Sequence, residues 1–266
     1  MKAFKLLFAL VIGAAVCTPS FANQGYQTPS PALAAVVDAK LAPSSYLSND
    51  GQWLALFDRK RIDTLQDLAK EELKLAGIKL NPANFSRSRV RNKFTSLVLK
   101  HVETGSEIVV SGLPNGILRS PSWSSDSQYL AFVVEQASSA NLWVYNVSTK
   151  QARQLSDTPL NSVLTRTPYT WLPDSSAIVA NAAVNIGKAR ISNDSSQVVP
   201  VIQQSSGEKA PARTYQNLLT SPYDEAQFKF FAQSQLTYIP LSGQGQPIGQ
   251  PGLIKSFSVS PDSTNI

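Results

Sequence analysis

Basic side chains alternate along one short segment of the sequence, which contains Arg87, Arg89, Arg91 and Lys93. In an extended strand, residues two apart point to the same face, so this segment would present one basic row. Guanidinium groups bind carboxylates through paired hydrogen bonds. We therefore predict that Arg87, Arg89 and Arg91 bind an acidic peptide. The alternative is a solvated strand edge, where positive charge prevents pairing with other strands.

Candidates for catalysis are few. His101 is the only histidine, but it lies in an apolar run from Leu97 to Val102 without a serine–aspartate context, so we predict a structural strand residue. The adjacent carboxylates Glu71 and Glu72 would suit sugar hydrolysis in a channel, but their segment has the pattern of a surface helix. The sequence also lacks the G-x-S-x-G motif of serine hydrolases, so we predict no catalytic residue in this chain.

The composition excludes several kinds of site. The only cysteine, Cys17, lies in the leader described below, so the mature chain would have no disulfide, no thiolate zinc site and no cysteine nucleophile. A single histidine cannot build a multi-histidine metal site. We predict no metal and no cofactor. The formal net charge of +6 does not by itself indicate a nucleic-acid partner.

Residues 1–22 have the pattern of a secretory signal peptide. Lys2 and Lys5 precede an apolar run from Leu6 to Val16, and Ser20-Phe21-Ala22 places small residues at the cleavage site. The alternative of an uncleaved membrane anchor requires a longer apolar run. We predict an exported protein, periplasmic or extracellular, that is not bound to a membrane after cleavage.

A turn motif recurs along the rest of the chain. It centres on Asp50, Asp126, Asp174 and Asp262, each followed by Gly or Ser and preceded three positions earlier by an apolar residue. Such turns suit tight hairpins, because Asp caps its own turn. Asp126 and Asp174 are 48 residues apart, which is the length of four antiparallel strands and the period of a propeller blade. We predict packing roles between blades for the four tryptophans Trp53, Trp123, Trp143 and Trp171.

Two intervals between these turns are longer, at 76 and 88 residues. We interpret each as one blade with an insertion, at about 59–94 and 185–234; the second could instead hold two blades with one eroded turn. In the first insertion, the leucines from Leu65 to Leu75 follow a helical pattern that begins at Asp63-Thr64. In the second, we predict a helix from Pro211 to Leu219 and then a loop at Ser221-Pro222.

The predicted fold is therefore all-β. Residues 41–266 form an incomplete β-propeller, with about four blades begun and two helical insertions. The signal peptide and an arm of residues 23–40, with a helical turn from Ala32 to Val37, precede it. Because the sequence stops four residues after Asp262, where earlier repeats open a strand, we expect a fragment of a longer protein.

Two segments resemble a known family. They are EELKLAGIKLNP at 71–82 and SGEKAPARTYQNLL at 206–219. Both, in this order and behind a leader, are similar to the glutamyl endopeptidase-like branch of the prolyl oligopeptidase family, and the resemblance covers most of residues 30–263. Arg213 and Tyr215, in the second segment, would contact substrate or another domain, or Tyr215 would belong to an apolar helix face.

The resemblance implies a serine peptidase in which an N-terminal propeller covers a C-terminal α/β-hydrolase domain. The catalytic triad would lie in that domain, and the propeller would admit only peptides or unfolded segments, which glutamyl-type members would cut after acidic residues. The predicted function of this chain is accordingly that of a substrate gate, inactive alone, whose partner is a peptide bound with the hydrolase domain. The alternative is a stand-alone periplasmic propeller that binds proteins.

Overall fold

A computed structural model describes residues 28–192, 207, 217–242 and 244–266, which fall into two compact units. The predicted signal peptide lies outside these residues. The first unit ends at Lys40 and contains helix α1 (Pro31–Asp38), which includes the helical turn predicted there. Its N-cap is Ser30, whose side chain accepts a hydrogen bond from the Leu33 amide at 3.4 Å. No helix in the described part of the chain is long and apolar enough to cross a membrane.

The second unit runs from Leu41 to Ile266 and is mostly β-structure. Its elements, in chain order, are β1 (Ser44–Leu47), β2 (Trp53–Arg59), α2 (Leu65–Leu68), β3 (Leu73–Leu75), β4 (Ile78–Asn81), β5 (Ser86–Arg87), β6 (Phe94–His101), β7 (Glu107–Val109), β8 (Ile117–Trp123), β9 (Tyr129–Glu135), β10 (Ala140–Asn146), β11 (Gln151–Gln154), β12 (Tyr169–Trp171), β13 (Ala177–Ala183), α3 (Pro222–Ala232), β14 (Ser234–Pro240) and β15 (Gln246–Gly252).

Most of these strands form three antiparallel meanders of four strands each. Meander 1 is β1-β2-β6-β7, meander 2 is β8-β9-β10-β11 and meander 3 is β12-β13-β14-β15. A single residue pair, Phe94 with Leu118, joins meanders 1 and 2 into one sheet. In the described part of the chain, each long interval between turns holds three strands of one meander together with an insertion, as expected of one blade with an insertion.

The hydrophobic core lies between successive meanders, because alternate residues of each strand point to opposite sheet faces. Phe57 and Phe132 belong to the cluster between meanders 1 and 2, and Ile178 and Ala180 of β13 belong to the cluster between meanders 2 and 3. All seven residues of β13 are buried. A strand buried on both faces indicates that meander 3 is covered on its far side as well, where Phe257 packs.

The repeated turns also link the meanders. The Asp50 amide donates a hydrogen bond to Ser127 Oγ at 3.0 Å, and the Asp126 amide donates to Ser175 Oγ at 3.0 Å. Ser127 and Ser175 have φ angles of 60° and 64°, and Gly51 takes the equivalent position in the first turn at 72°. A left-handed conformation costs a side-chain-bearing residue about 1–2 kcal/mol. The serine hydroxyls offset part of that cost by bonding to the preceding meander.

Tryptophans at the ends of β8 and β12 form a second link. Trp123 Nε1 donates to the carbonyl oxygen of Tyr46 at 3.0 Å, and Trp171 Nε1 donates to that of Ser122 at 3.1 Å. Each indole thus reaches the first strand of the preceding meander. The predicted packing role is confirmed for these two tryptophans.

The Ser127 link gives a test with a matched pair of variants. We expect Ser127→Ala to lower the free energy of unfolding by about 1–2 kcal/mol, because it removes a hydrogen bond and keeps the left-handed strain. Ser127→Gly loses the same bond but relieves the strain, so it should be more stable than the alanine variant by about 1 kcal/mol. Urea denaturation measures both. Equal midpoints for the two variants would contradict this account of the turn.

The first insertion is not the helix that the leucine pattern predicted. Thr64 does cap a helix, but α2 is a single turn, and Leu73 and Leu75 lie in β3. These two leucines are two residues apart, which is the period of a strand, and the chain then reverses at Ala76 and Gly77, whose φ angles are 49° and 72°. The resulting sheet is β3-β4-β5.

The second insertion contains a helix, α3, which begins after the segment predicted to be helical. The predicted loop at Ser221-Pro222 is instead the start of α3: Ser221 is the N-cap, Pro222 the first helical residue, and Asp224 completes a capping box. Residues 211–216 of the predicted helix lie outside the described residues, and Leu218 and Leu219 are not helical. Proline at the first turn of a helix is favourable, because its missing amide would be unpaired there in any case.

The two insertions pack on each other and form what we call the cap. Its apolar cluster combines β3, β4 and the residues after them with α3 and with the loop between meanders 2 and 3; the buried members are Leu75, Leu80, Phe85, Val163, Phe231 and Ala232. Arg190 Nη1 pairs with both carboxylate oxygens of Glu71, at 2.8 and 2.9 Å. Asn161 Nδ2 donates to the carbonyl oxygens of Phe231 and Gln233 at 2.8 and 2.9 Å. The cap is thus attached to the meanders by buried polar and apolar contacts.

Candidate functional site

A pocket of about 670 Å³ lies where the first strands of meanders 1 and 2 meet the loop before β12. Four of its described lining residues are arginines and none is acidic; the set is Tyr46, Arg89, Val90, Arg91, Asn92, Phe94, Arg119, Ser120, Pro121, Arg166 and Thr167. We call this the arginine pocket. Its lining residues come from meander 1, meander 2, the segment after β5 and the loop before β12. The pocket therefore forms only when these distant segments of the chain pack together.

The predicted basic row does not form one face. Strand β5 ends at Arg87, and the side chains that follow it diverge. Arg87 Nε donates to the carbonyl oxygen of Val163 at 2.9 Å, whereas Arg89 Nε donates to Glu72 Oε2 at 2.8 Å. Arg89 and Arg91 line the arginine pocket, whereas Arg87 lines only a neighbouring pocket of about 380 Å³, which Arg89 lines as well. The assumed extended conformation was wrong beyond Arg87.

Arg119 is the buried member of the arginine pocket, with only 6% of its surface exposed. Its Nη1 donates to a carboxylate oxygen of Glu135 and, at 3.5 Å, to the carbonyl oxygen of Arg87. The other carboxylate oxygen of Glu135 accepts from Ser86 Oγ at 2.8 Å and from Asn84 Nδ2 at 3.2 Å. This network joins β8 and β9 to the first insertion and fixes one wall of the pocket.

Beside Arg119 the strand is distorted. The pairing of β8 with β9 shifts register between Arg119 and Ser122, and Ser120 has a φ of 50°. The hydroxyl of the buried Tyr169 bonds to the carbonyl oxygen of Ser120, and Ser120 Oγ donates to the carbonyl oxygen of Arg166 at 3.0 Å. Bulges and left-handed residues other than glycine are sites of strain, which cluster at functional sites.

Positive charges lie close together beside this pocket. Burial lowers the pKa of the Arg87 guanidinium, and the nearby charges of Arg166 and Arg119 lower it further. Burial also raises the pKa of Tyr169 well above its usual value, so its hydroxyl stays protonated and continues to donate. A site that gathers positive charge around an open volume favours an anion, and a carboxylate matches the planar guanidinium.

Other residues singled out in the sequence lie elsewhere. His101 is the last residue of β6; its Nδ1 accepts from the Thr104 amide at 3.3 Å, and its ring meets that of Trp53 edge-on at a centroid distance of 4.9 Å. Glu71 and Glu72 do not act as a pair, because each binds a different arginine. Arg213 and Tyr215 lie outside the described residues. No cluster of metal-ligating side chains occurs in the described part of the chain.

Sequence reasoning missed Arg119, Ser120, Arg166 and Tyr169. The sequence does contain a signal for Arg119, because this arginine lies within a segment that otherwise has the pattern of a strand. A charged side chain buried in a strand requires a partner. Arg166 has no such signal, since it lies in a polar loop. Only the order of the strands brings it close to Arg119.

Comparison of the sequence with known proteins finds two plant relatives that carry the same name. No protein-family model matches the chain. The chain is 30% identical over 258 residues to a probable chloroplastic glutamyl endopeptidase of Oryza sativa subsp. japonica, and 29% identical over 262 residues to the protein of the same name in Arabidopsis thaliana. These alignments cover 91% and 90% of this chain but only 27% and 26% of the relatives. The chain therefore spans about a quarter of the length of these relatives.

Solved structures show weaker similarity. The acylaminoacyl peptidase of Pyrococcus horikoshii is 12% identical with a TM-score of 0.35, over 76% of this chain and 23% of that protein. TolB of Acinetobacter baumannii is 12% identical with a TM-score of 0.32, over 78% of this chain and 40% of that protein.

Proposed function

Since this chain is a relative of the glutamyl endopeptidase-like branch of the prolyl oligopeptidase family, we propose that it is the propeller part of a secreted serine-type peptidase. The observation that carries this proposal is 30% identity over 91% of the chain. In the proposal, the hydrolase domain lies in a further part of the same protein. Residues 41–266 act as its substrate gate, and residues 1–22 direct its export.

The architecture supports a propeller in three ways. Each meander has four antiparallel strands, as a blade does. Successive meanders are linked at equivalent positions through Ser127 and Ser175, which is expected of a repeat. Their first strands converge, because Tyr46 of β1, Arg119 of β8 and Arg166 just before β12 line one pocket. In a propeller this convergence marks the central channel, through which a peptide would reach the hydrolase domain.

The cap and the arginine pocket together support the proposed gating role. The cap is built from insertions in meanders 1 and 3 and packs on the loop that contains Val163. Arg87 bonds to the carbonyl oxygens of Val163 and Leu164, and that loop continues to Arg166 in the pocket. The cap therefore supports the same segment that presents a positive charge to an incoming peptide. Such an entrance favours flexible peptides over folded proteins and acidic sequences over neutral ones.

A peptidase assay on the complete reading frame that contains residues 1–266 tests the proposal. We expect the purified full-length protein to hydrolyse a peptide with one internal glutamate and to spare the matched peptide with glutamine there. A serine-directed phosphonylating reagent should abolish this activity, whereas residues 1–266 alone should be inert, because they contain no nucleophile motif. Failure of the folded full-length protein to cut any peptide would refute the proposed activity.

A further inference from the structure

We propose that the arginine pocket is the specificity site for acidic peptides, with Arg91 and Arg166 as the groups that bind the ligand carboxylate. The inference rests on the proposed function and deepens it, because it assigns substrate recognition to named residues of this chain. It also replaces the predicted row of Arg87, Arg89 and Arg91 with two binding groups from separate segments, Arg91 after β5 and Arg166 before β12.

The division of roles among the arginines follows from their partners. Arg119 is held by Glu135, and Arg89 is held by Glu72. Arg91 and Arg166 are exposed, and within the described part of the chain neither forms an ion pair. Arg119 and Arg89, which are ion-paired, contribute positive potential and form part of the pocket wall. The guanidiniums of Arg91 and Arg166 keep their hydrogen-bond donors available for a ligand.

The pocket is preorganised on the side of Arg166. Ser120 holds the backbone of Arg166 through a hydrogen bond to its carbonyl oxygen, and Tyr169 in turn holds the carbonyl oxygen of Ser120. Tyr169 is buried, and its hydroxyl also bonds to the carbonyl oxygen of Ala131 at 2.9 Å. A binding group whose backbone is already fixed loses less conformational freedom when the ligand arrives.

The walls of the pocket favour a peptide over a nucleic acid. Tyr46 and Phe94 are the aromatic lining residues, and Phe94 is completely buried. The Tyr46 ring is occupied by edge contacts with Phe57 and Phe94, at centroid distances of 5.6 and 6.3 Å. Binding of single-stranded nucleic acid depends on open aromatic faces on which bases stack. The volume of about 670 Å³ accommodates an acidic side chain with its neighbouring peptide groups.

Direct binding tests this assignment separately from catalysis. The full-length protein, treated with the serine-directed reagent, is titrated into two fluorescent peptides that differ only by glutamate or glutamine, and anisotropy gives each Kd. We expect the glutamate peptide to bind about tenfold more tightly, the difference made by one charge-assisted contact. Arg91→Gln/Arg166→Gln should remove this preference, and Arg91→Lys/Arg166→Lys should retain part of it, because lysine keeps the charge but lacks the paired donors.

Arg59→Gln is the matched control, because Arg59 is an exposed arginine at the end of β2 and does not line the pocket. It should leave the glutamate preference unchanged. An unchanged preference in Arg91→Gln/Arg166→Gln would overturn the inference, as would inorganic phosphate that displaces the glutamate peptide at equimolar concentration, which indicates a general anion site. A full-length protein that binds glutamate peptide through these arginines but cuts nothing would refute the proposed activity alone.

Discussion

Replacement of Arg119 by leucine should lower the free energy of unfolding by about 3 kcal/mol, which is one of the two largest effects we expect in this chain. The substitution leaves the Glu135 carboxylate, which is mostly buried, without its positive partner. Ser86 and Asn84 still donate to that carboxylate, but neutral donors do not replace a charge. Urea denaturation of the folded protein measures the change.

The control for this prediction is the double variant Arg119→Leu/Glu135→Leu. Removal of both charges avoids an unpaired buried carboxylate, and pairs replaced in this way often regain most of the lost stability. We expect the double variant to be more stable than the single variant. A double variant that is less stable than Arg119→Leu would contradict the importance of the unpaired charge.

Replacement of Phe231 by alanine should cost about 3–5 kcal/mol, because it opens a cavity in the apolar cluster of the cap. The Phe231 ring is 1% exposed and packs against Phe85 at a centroid distance of 5.2 Å and against Phe230 at 5.0 Å. The loss should appear first as cleavage of the cap by an added protease, since the meanders have their own clusters. Thermal denaturation and limited proteolysis measure it.

Phe228 provides the matched control, because it lies in the same helix and packs against the same cluster but is only partly buried. Phe228→Ala should cost clearly less than Phe231→Ala. Equal losses, or protease cleavage within the meanders before the cap, would show that the cap does not depend on its own apolar cluster around Phe231.

The repeat architecture could be predicted from the sequence because its signals are local. An Asp followed by Gly or Ser sets each turn within a few residues, and the 48-residue interval fixes the number of strands. The errors were also local. The leucine pattern predicts a helix over Leu73 and Leu75, although these two residues have the spacing of a strand. The Ser221-Pro222 pair predicts a loop, although it begins a helix.

The site could be predicted only in part, and the reason is topological. The alternating spacing predicts Arg89 and Arg91 as site residues, and both line the arginine pocket. The same spacing predicts Arg87, but hydrogen bonds to the carbonyl oxygens of Val163 and Leu164 hold its guanidinium elsewhere. Arg119 and Arg166 belong to other segments, and only the packing of the meanders brings them to the same pocket.

The central claim is that these meanders belong to a serine peptidase, and sequencing of the same reading frame beyond codon 266 tests it most directly. We predict further strands of the propeller, then an α/β-hydrolase domain with a G-x-S-x-G motif and, downstream of it, the aspartate and histidine of a triad. Additional four-stranded repeats followed by a stop codon, with no such motif, would contradict the claim and would instead indicate a propeller that only binds its partners.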